Sequence, residues 1–522
     1  MIVKNVIKTN QYYDSATLML LTSKIGRHLG SAKHVAVMMA TDMNKDLMEA
    51  SGLLTDEGRE AGANDLVFAI RGESEEEINK VLLMAEEELN TKAAHMKKES
   101  QDVVKTVEEA VSQYPNASMA VVSLPGQFAA REVKKLLMAD RHVLLFSDNV
   151  SLEEERKLKD LALERGLLMM GPDCGTAVIN GVGLGFSNQV KRGNIGLAAA
   201  SGTGLQEVMC QISNRGGGIS QAFGTGGRDV KEAIGGRMML SCLELLENDH
   251  STDVIVIVSK PPSPSVLEKI AAYLRGKKKP VVACFMGNEG NDDPSLPWKT
   301  AAALDETARL AVELAGTGDS RRHEIPAEMV SEAMAQRTLL QPGQKYIRGL
   351  YCGGTLAYET MLLIRSHTKK VYSNIAVTDE ERIDGLQASK EHTVLDLGDD
   401  EFTVGKPHPM IEPSLREERL LQEAADPETA VILADVETGY GSHENPARVL
   451  AEEVAKAQEI LKEQNRHIIF VASICGSYED FQDYEEQKRI LKQQGILVME
   501  SNAQAAELAL AIMEELEKEG NV

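Results

Sequence analysis

One short pattern occurs twice, and it limits the fold more than any other feature of the chain. A strand at Asn194–Ala200 runs into Ser201-Gly202-Thr203-Gly204 and a helix bearing Leu205, Val208, Met209 and Ile212. A second strand, from Tyr346, runs into Gly353-Gly354-Thr355 and a helix bearing Leu356, Met361, Leu362 and Ile364. From Gly202 to Gly354 the offset is 152 residues. Each copy continues with a second strand and loop, GISQAFGTGGRD ending at Asp229 and HTVLDLGDDE ending at Glu401, an offset of 172. Apolar strands follow, Asp253–Ser259 matching Ala430–Val436 and Pro280–Phe285 matching His467–Ala472, the last at an offset of about 187. The second copy therefore carries extra residues in its middle. Apolar runs without alternation belong to strands covered on both faces, as in a doubly wound parallel sheet.

The remaining chain fits around this repeat. Residues 1–104 read as a small α/β domain, with strands at Met1–Lys8, Lys33–Met39 and Asp65–Ile70 and helices at Ser15–His28 and Glu75–Asn90. The polar stretch Thr91–Lys105 suits a linker or an exposed helix. Residues 105–190 alternate strand and helix, which implies parallel strands and right-handed crossovers. There Ser151 with Glu154 three residues on forms a capping box. Residues 191–320 and 345–522 hold the two copies, joined by a helix-bearing linker at 321–344. A chain of 522 residues is long enough for several such domains.

Charge and cysteine usage exclude whole classes of function. With 56 basic and 80 acidic residues the formal charge is −24, unsuited to general binding of nucleic acid or an anionic membrane. No apolar run approaches the ~18 residues that span a bilayer. The N-terminus lacks a basic n-region followed by an apolar h-region, so no signal peptide is expected. Six scattered cysteines with no CxxC pair give neither a disulfide framework nor a zinc site and point to the cytoplasm.

The main chemical signal is an anion site. A small-residue turn at the carboxyl end of a parallel strand exposes backbone N–H groups, and the helix dipole adds positive potential. Ser201, Gly202 and Thr203 supply this turn, with Gly354 and Thr355 as the second copy's equivalent. Gly226, Gly227 and Arg228 follow on the next strand, with a guanidinium suited to phosphate or carboxylate. Such glycines also serve as plain turn formers, but two loops at successive strand ends with an arginine favour the anion. No Gly-Lys-Ser/Thr follows, so this is not a Walker A loop.

The second copy differs chemically. Asp396-Leu397-Gly398-Asp399-Asp400-Glu401 would repel phosphate and would suit Mg²⁺ or the N–H groups of an amide or ureido substrate. The acidic run also fits a plain solvated loop, and His408, between Pro407 and Pro409, reads either as a structural or exposed histidine or as a general acid or base with Asp399 and Asp400 as its candidate catalytic carboxylates. Cys174 reads as an inert buried thiol. Lys260 ends a strand and could add charge at the pocket mouth.

These stretches resemble a known superfamily. The run from GPDCG through GNIGLAAASGTG to GTGGRD, with ELLENDHSTDVIVIVSKPP, resembles the α-subunit of succinyl-CoA synthetase. GLYCGGTLAYET and LDLGDD resemble the ligase half of its β-subunit. The fused order, with SDNVSLEEE, MGPDCGT and DLGDDEFTVGKPHPMI, resembles the FdrA family. The resemblance implies a CoA-binding-like Rossmann domain at 105–190, flavodoxin-like ligase domains at 191–320 and 345–522, and the small α/β domain in front. It also implies similarity to a component of oxamate carbamoyltransferase in allantoin breakdown, which converts oxalurate and phosphate into oxamate and carbamoyl phosphate with two further protein subunits. The alternatives are an acyl-CoA synthetase and a non-catalytic scaffold subunit.

Two departures favour phosphorolysis over thioester formation. The superfamily's phosphohistidine loop corresponds to Asn288–Leu304, which holds no histidine. Thr9–Asp14 stands where a glycine-rich CoA loop is expected, which argues against CoA. Phosphate is then a substrate, Mg²⁺ a candidate companion of the acidic run, and no resident metal is expected.

Overall fold

A computed structural model describes residues 2–518 except 12, 14, 27–33, 100–103, 288–292, 386 and 404–406. The chain divides into two compact units, Met1–Lys105 with Asp400–Ser414, and Thr106–Asp399 with Leu415–Val522.

In the first unit, strands Ile2–Lys8, Leu66–Gly72 and His34–Met39 form an antiparallel sheet with Leu66–Gly72 in the middle. Successive side chains of a strand point to opposite faces. Accordingly Leu66, Phe68 and Ile70 pack with Leu18, Leu21, Ile78 and Val81, whereas Val67 and Ala69 pack with Met48 and Leu53. The helix from Glu75 continues to Glu99 instead of stopping at Asn90. Its added turns are rich in Ala and Lys, both strong helix formers.

The second unit begins with a three-stranded parallel sheet, Met119–Val122, His142–Leu145 and Met169–Met170. Ser151 caps the helix Leu152–Glu164, its hydroxyl accepting from the Glu154 amide at 3.2 Å. The sheet that holds the first copy also takes in residues before 190. The hairpin Thr176–Ile179/Val182–Gly185 joins the next sheet by antiparallel pairing of Val178 with Ala222. Hairpin pairing is invisible to a reading based on strand–helix alternation.

The repeat is present in the topology. The parallel part of the seven-stranded sheet runs Ile219–Gly224, Arg192–Ala200, Val254–Ser259, Val281–Phe285, Lys299–Thr300. The five-stranded sheet runs Thr393–Asp396, Tyr346–Tyr351, Thr429–Glu437, Ile469–Cys475, Leu497–Met499. Both have the order 2-1-3-4-5, the flavodoxin-like arrangement in which ligands bind outside the carboxyl ends of strands 1 and 3. Strands are covered on both faces as expected: Leu197 and Ala199 face one core, Ala198 and Ala200 the other. The first core is continuous across both sheets, containing Leu205 and Val256 as well as Leu356 and Leu433. The expected linker contributes the helix Ala327–Arg337, whose Met329 and Ala333 join that core. Among the described residues no helix is long and apolar enough to cross a membrane.

Candidate functional site

The two small-residue turns both lie at carboxyl ends of first strands, and they face each other. Ser201 caps the helix Gly202–Asn214, its hydroxyl accepting from the Gly204 amide at 3.2 Å. That hydroxyl is also 2.7 Å from the Thr355 hydroxyl at the start of the helix Gly354–Thr368. The Thr355 amide in turn donates to Thr203 Oγ1 at 3.2 Å. Glycine makes this approach feasible, since a methyl on Gly204 would stand 2.8 Å from Thr355 Cγ2, and one on Gly353 3.0 Å from Thr203 Cγ2. Two helix N-termini thus converge, each with positive potential.

The two ends are not equivalent. The first is capped by a neutral hydroxyl, and a methyl on Gly202 would meet no described atom within 4 Å, leaving room for a ligand. At the second, the Asp435 carboxylate accepts from the Cys352 amide at 2.8 Å and the Gly353 amide at 2.7 Å. A protein anion already occupies those donors. An incoming anion is therefore favoured at the Gly202 end.

Two further groups close the site. Lys260 follows Val254–Ser259, which pairs with Arg192–Ala200 so that Ser259 lies opposite Ala200. Lys260 and Ser201 consequently flank the gap between strands 1 and 3, and Lys260 Nζ stands 5.2 Å from the Tyr358 ring centroid. Asp396, the last residue of Thr393–Asp396, is 7% exposed and its Oδ1 accepts from the Gly398 amide at 3.0 Å. A methyl on Gly354 would come 2.2 Å from Asp396 Oδ2, so that carboxyl stands against the second helix start. Burial pushes the Asp396 carboxyl up to about 7, with Lys260 opposing and Asp399 and Asp435 reinforcing the shift.

Beneath the turns lies a pair that sequence reading missed. Glu207 and Glu359 occupy equivalent positions in the two helices and are buried at 2% and 4% exposure. Glu359 accepts from the Leu304 amide and from Asn502 Nδ2, both at 2.8 Å. Burial and then their mutual charge push Glu207 up to about 8, while burial and Asp305 push Glu359 up to about 7. Both carboxyls thus hold their protons more tightly than ordinary glutamates do. The 152-residue offset could have revealed the pair, but each looks like an ordinary helical glutamate.

The other expected site residues are placed as follows. Arg228 Nη2 is 2.9 Å from Glu155 Oε2 and donates to the Val150 carbonyl at 2.8 Å. Its neighbour Asp229 accepts from the amides of Met238 and Met239 and pairs with fully buried Lys159. Gly226 has φ +83° and lies so close to the Pro172 carbonyl that a methyl would stand 2.4 Å from it, whereas a methyl on Gly227 would meet no described atom within 4 Å. The GTGGRD loop thus anchors the sheet to the helix Leu152–Glu164. Asp399 belongs to the second unit, but Asp400 and His408 belong to the first. Asp400 opens the short helix Asp400–Thr403, and His408 Nδ1 accepts from the Met410 amide at 3.2 Å; Gly405 and Lys406 lie outside the described residues. Cys174 is buried and pushed up to about 12 by desolvation, an inert thiol as expected.

One group among the described residues has metal-ligand spacing, and it is not the acidic run. Cys352, Asp435 and Glu437 present ligand atoms within 4.8 Å of one another. Burial pushes the Cys352 thiol and the Glu437 carboxyl well above their usual ranges. Arg416 Nη1 lies 3.5 Å from Cys352 Sγ, so the group is compensated by a cation of the protein.

Comparison with known proteins adds the following. Residues 350–512 match the family model described as CoA-ligase, and 190–287 the one described as CoA binding domain. The latter match falls on the domain with the Ser201 turn, not on 105–190 where a CoA-binding-like fold was expected. Residues 1–106 match the model described as AllF, heavy metal-associated domain, though no cysteine precedes Cys174. The uncharacterized protein YahF of Escherichia coli (strain K12) is 44% identical over 513 residues, 98% of either chain. Succinate–CoA ligase (ADP-forming) subunit alpha 1 of Archaeoglobus fulgidus is 28% identical over 222 residues, 42% of this chain and 74% of its own. The ADP-forming sulfoacetate-CoA ligase subunit SauD of Bilophila wadsworthia is 26% identical over 204 residues, 36% of this chain and 67% of its own. The solved ATP citrate lyase of Methanothrix soehngenii, in complex with citrate and coenzyme A, covers 80% of this chain and 76% of its own at 14% identity and a TM-score of 0.35.

Proposed function

The chain belongs to the family of Escherichia coli YahF and carries CoA-ligase and CoA-binding domains of the succinyl-CoA ligase type, and from that premise we propose that it is an acyl-transfer subunit in which phosphate attacks a carbonyl carbon between the two facing turns. In its finest form this is the phosphorolysis of oxalurate to oxamate and carbamoyl phosphate, as a component of an oxamate carbamoyltransferase with two other subunits. The observation that carries it is the asymmetric pair of helix ends, one open and hydroxyl-capped at Gly202, the other occupied by Asp435.

Ser201, Gly202 and Thr203 then hold phosphate at the open end, with Lys260 compensating its charge. Gly354 and Thr355 border the acyl group. Positioned donors of this kind stabilise charge developing on an acyl oxygen, and the shared site makes the attack effectively intramolecular. No step uses a phosphorylated histidine, in keeping with the sequence Asn288–Leu304, which has none.

The second reading, an acyl-CoA synthetase forming a thioester, is favoured by the similarity to ADP-forming CoA ligase subunits. One assay separates the two. The complex is supplied with oxalurate and phosphate, or with acids, ATP and CoA, and carbamoyl phosphate and thioester are measured. Carbamoyl phosphate without ATP supports the first reading. Thioester formation with an acid-labile phosphate on the chain overturns it, and a complex active without this chain would make the chain a scaffold.

A further inference from the structure

The site contains a proton donor whose placement bears on the leaving group. Asp396 is pinned from several sides. Its backbone amide donates to Asn374 Oδ1 and its carbonyl accepts from Asn374 Nδ2, each at 3.0 Å, with Asn374 itself buried. Oδ1 is held by the Gly398 amide, while Oδ2 lies against Gly354, one residue from the Thr355 hydroxyl that touches Ser201. The charged groups acting on it are Lys260 from the end of Val254–Ser259, Asp399 from its own loop, and Asp435 from Thr429–Glu437.

We propose that Asp396 is the catalytic acid of this site, giving its carboxyl proton to a leaving nitrogen, so that the substrate class is an N-acyl amide or ureide. This rests on the acyl-transfer reading above. An oxygen of hydrogenphosphate bonds to the carbonyl carbon and the carbon–nitrogen bond breaks. The nitrogen keeps the bonding electron pair and takes the Asp396 proton. Hydrogenphosphate loses its own proton on forming the mixed anhydride, and that proton restores the Asp396 carboxyl. Lys260 steadies the carboxylate that exists in between.

The leaving group is what gives the acid its use. A thiolate departs readily as the anion, since thiols ionise near pH 8.5. An amide nitrogen is far too basic to leave unprotonated. A carboxyl half-protonated near neutral pH is suited to general-acid work, whereas ordinary aspartates are already ionised there.

The test uses the whole complex and Asp396→Asn, which keeps the shape. Three quantities are read: inorganic phosphate binding by ³¹P NMR, kcat for a ureide against pH, and kcat for a 4-nitrophenyl carbamate, whose leaving group needs no proton. The expected result is phosphate affinity within about threefold of wild type, a ureide kcat lower by roughly 10²–10⁴, and a carbamate kcat within about threefold. The wild-type ureide kcat should fall above about pH 7, and the variant should lose that limb. Equal losses on both substrates with phosphate binding intact would overturn the acid role while leaving the phosphate site standing. Wild-type activity confined to thioester formation would overturn both the acid and the reading beneath it.

Discussion

Replacing Lys159 with Met tests what the GTGGRD loop is for. The side chain is fully buried, with Nζ 2.8 Å from Glu155 Oε1, 2.9 Å from Asp229 Oδ1 and 3.1 Å from the Thr225 carbonyl. Methionine fills much of the same space without the charge, so the change isolates electrostatics from packing. Two buried carboxylates lose their shared cation. Glu155 keeps Arg228, whose side chain is 39% exposed, and Asp229 keeps only two amides. Removing one partner of a buried ion pair costs about 3–5 kcal/mol. Lys157, two residues earlier, gives the control, because its pair with Glu153 is exposed at 66% and 68%. Lys157→Met should cost about 0.5 kcal/mol or less. Urea unfolding of the full chain, followed at pH 7, reads both variants. A loss below about 1 kcal/mol, or equal losses for the two lysines, would refute the assignment of this loop to structure.

Two further outcomes follow from the same geometry. Gly354→Ala would place a methyl 2.2 Å from Asp396 Oδ2, so overpacking should lower stability by about 1–3 kcal/mol in thermal unfolding and should displace the carboxyl enough to abolish turnover. Glu207 is raised to about 8 by burial, so the folded state holds its proton more tightly than the unfolded chain. The stability this provides is complete below about pH 4.5 and is lost as pH rises through 8; Glu207→Gln should therefore flatten the decline of Tm between about pH 4.5 and 8.

The sequence exposes the duplicated architecture because its signal is local. A strand, a small-residue turn and a helix recur at fixed offset, and buried strands such as Val254–Ser259 are apolar throughout. It also identifies Ser201, Thr203 and Thr355 as one kind of turn, but not that the two turns touch. Side-chain direction is where linear reading fails. Arg228 sits in a motif that looks made for phosphate, yet its guanidinium turns to Glu155 and Val150. Asp399, Asp400 and His408 are close in sequence, yet a unit boundary runs between Asp399 and Asp400. Asp396, at the head of that same run, ends a strand and is the carboxyl that reaches the helix start. Glu207 and Glu359 acquire their character from burial and from carboxylates brought close by the fold, which no isolated helix pattern reports.

The first unit is discontinuous, and that has a bearing on how it can be cut from the chain. The chain leaves it after Lys105, returns at Asp400 and departs again after Ser414. Phe402 and Met410, buried at 6% and 5% exposure, belong to the returning segment. A domain added by end-to-end gene fusion is a single contiguous block that a later deletion can remove. Here residues 400–414, which lie within the sequence of the second ligase copy, belong to the same compact unit as residues 1–105. Excision of residues 1–105 as a contiguous block would therefore leave residues 400–414 without the rest of their unit.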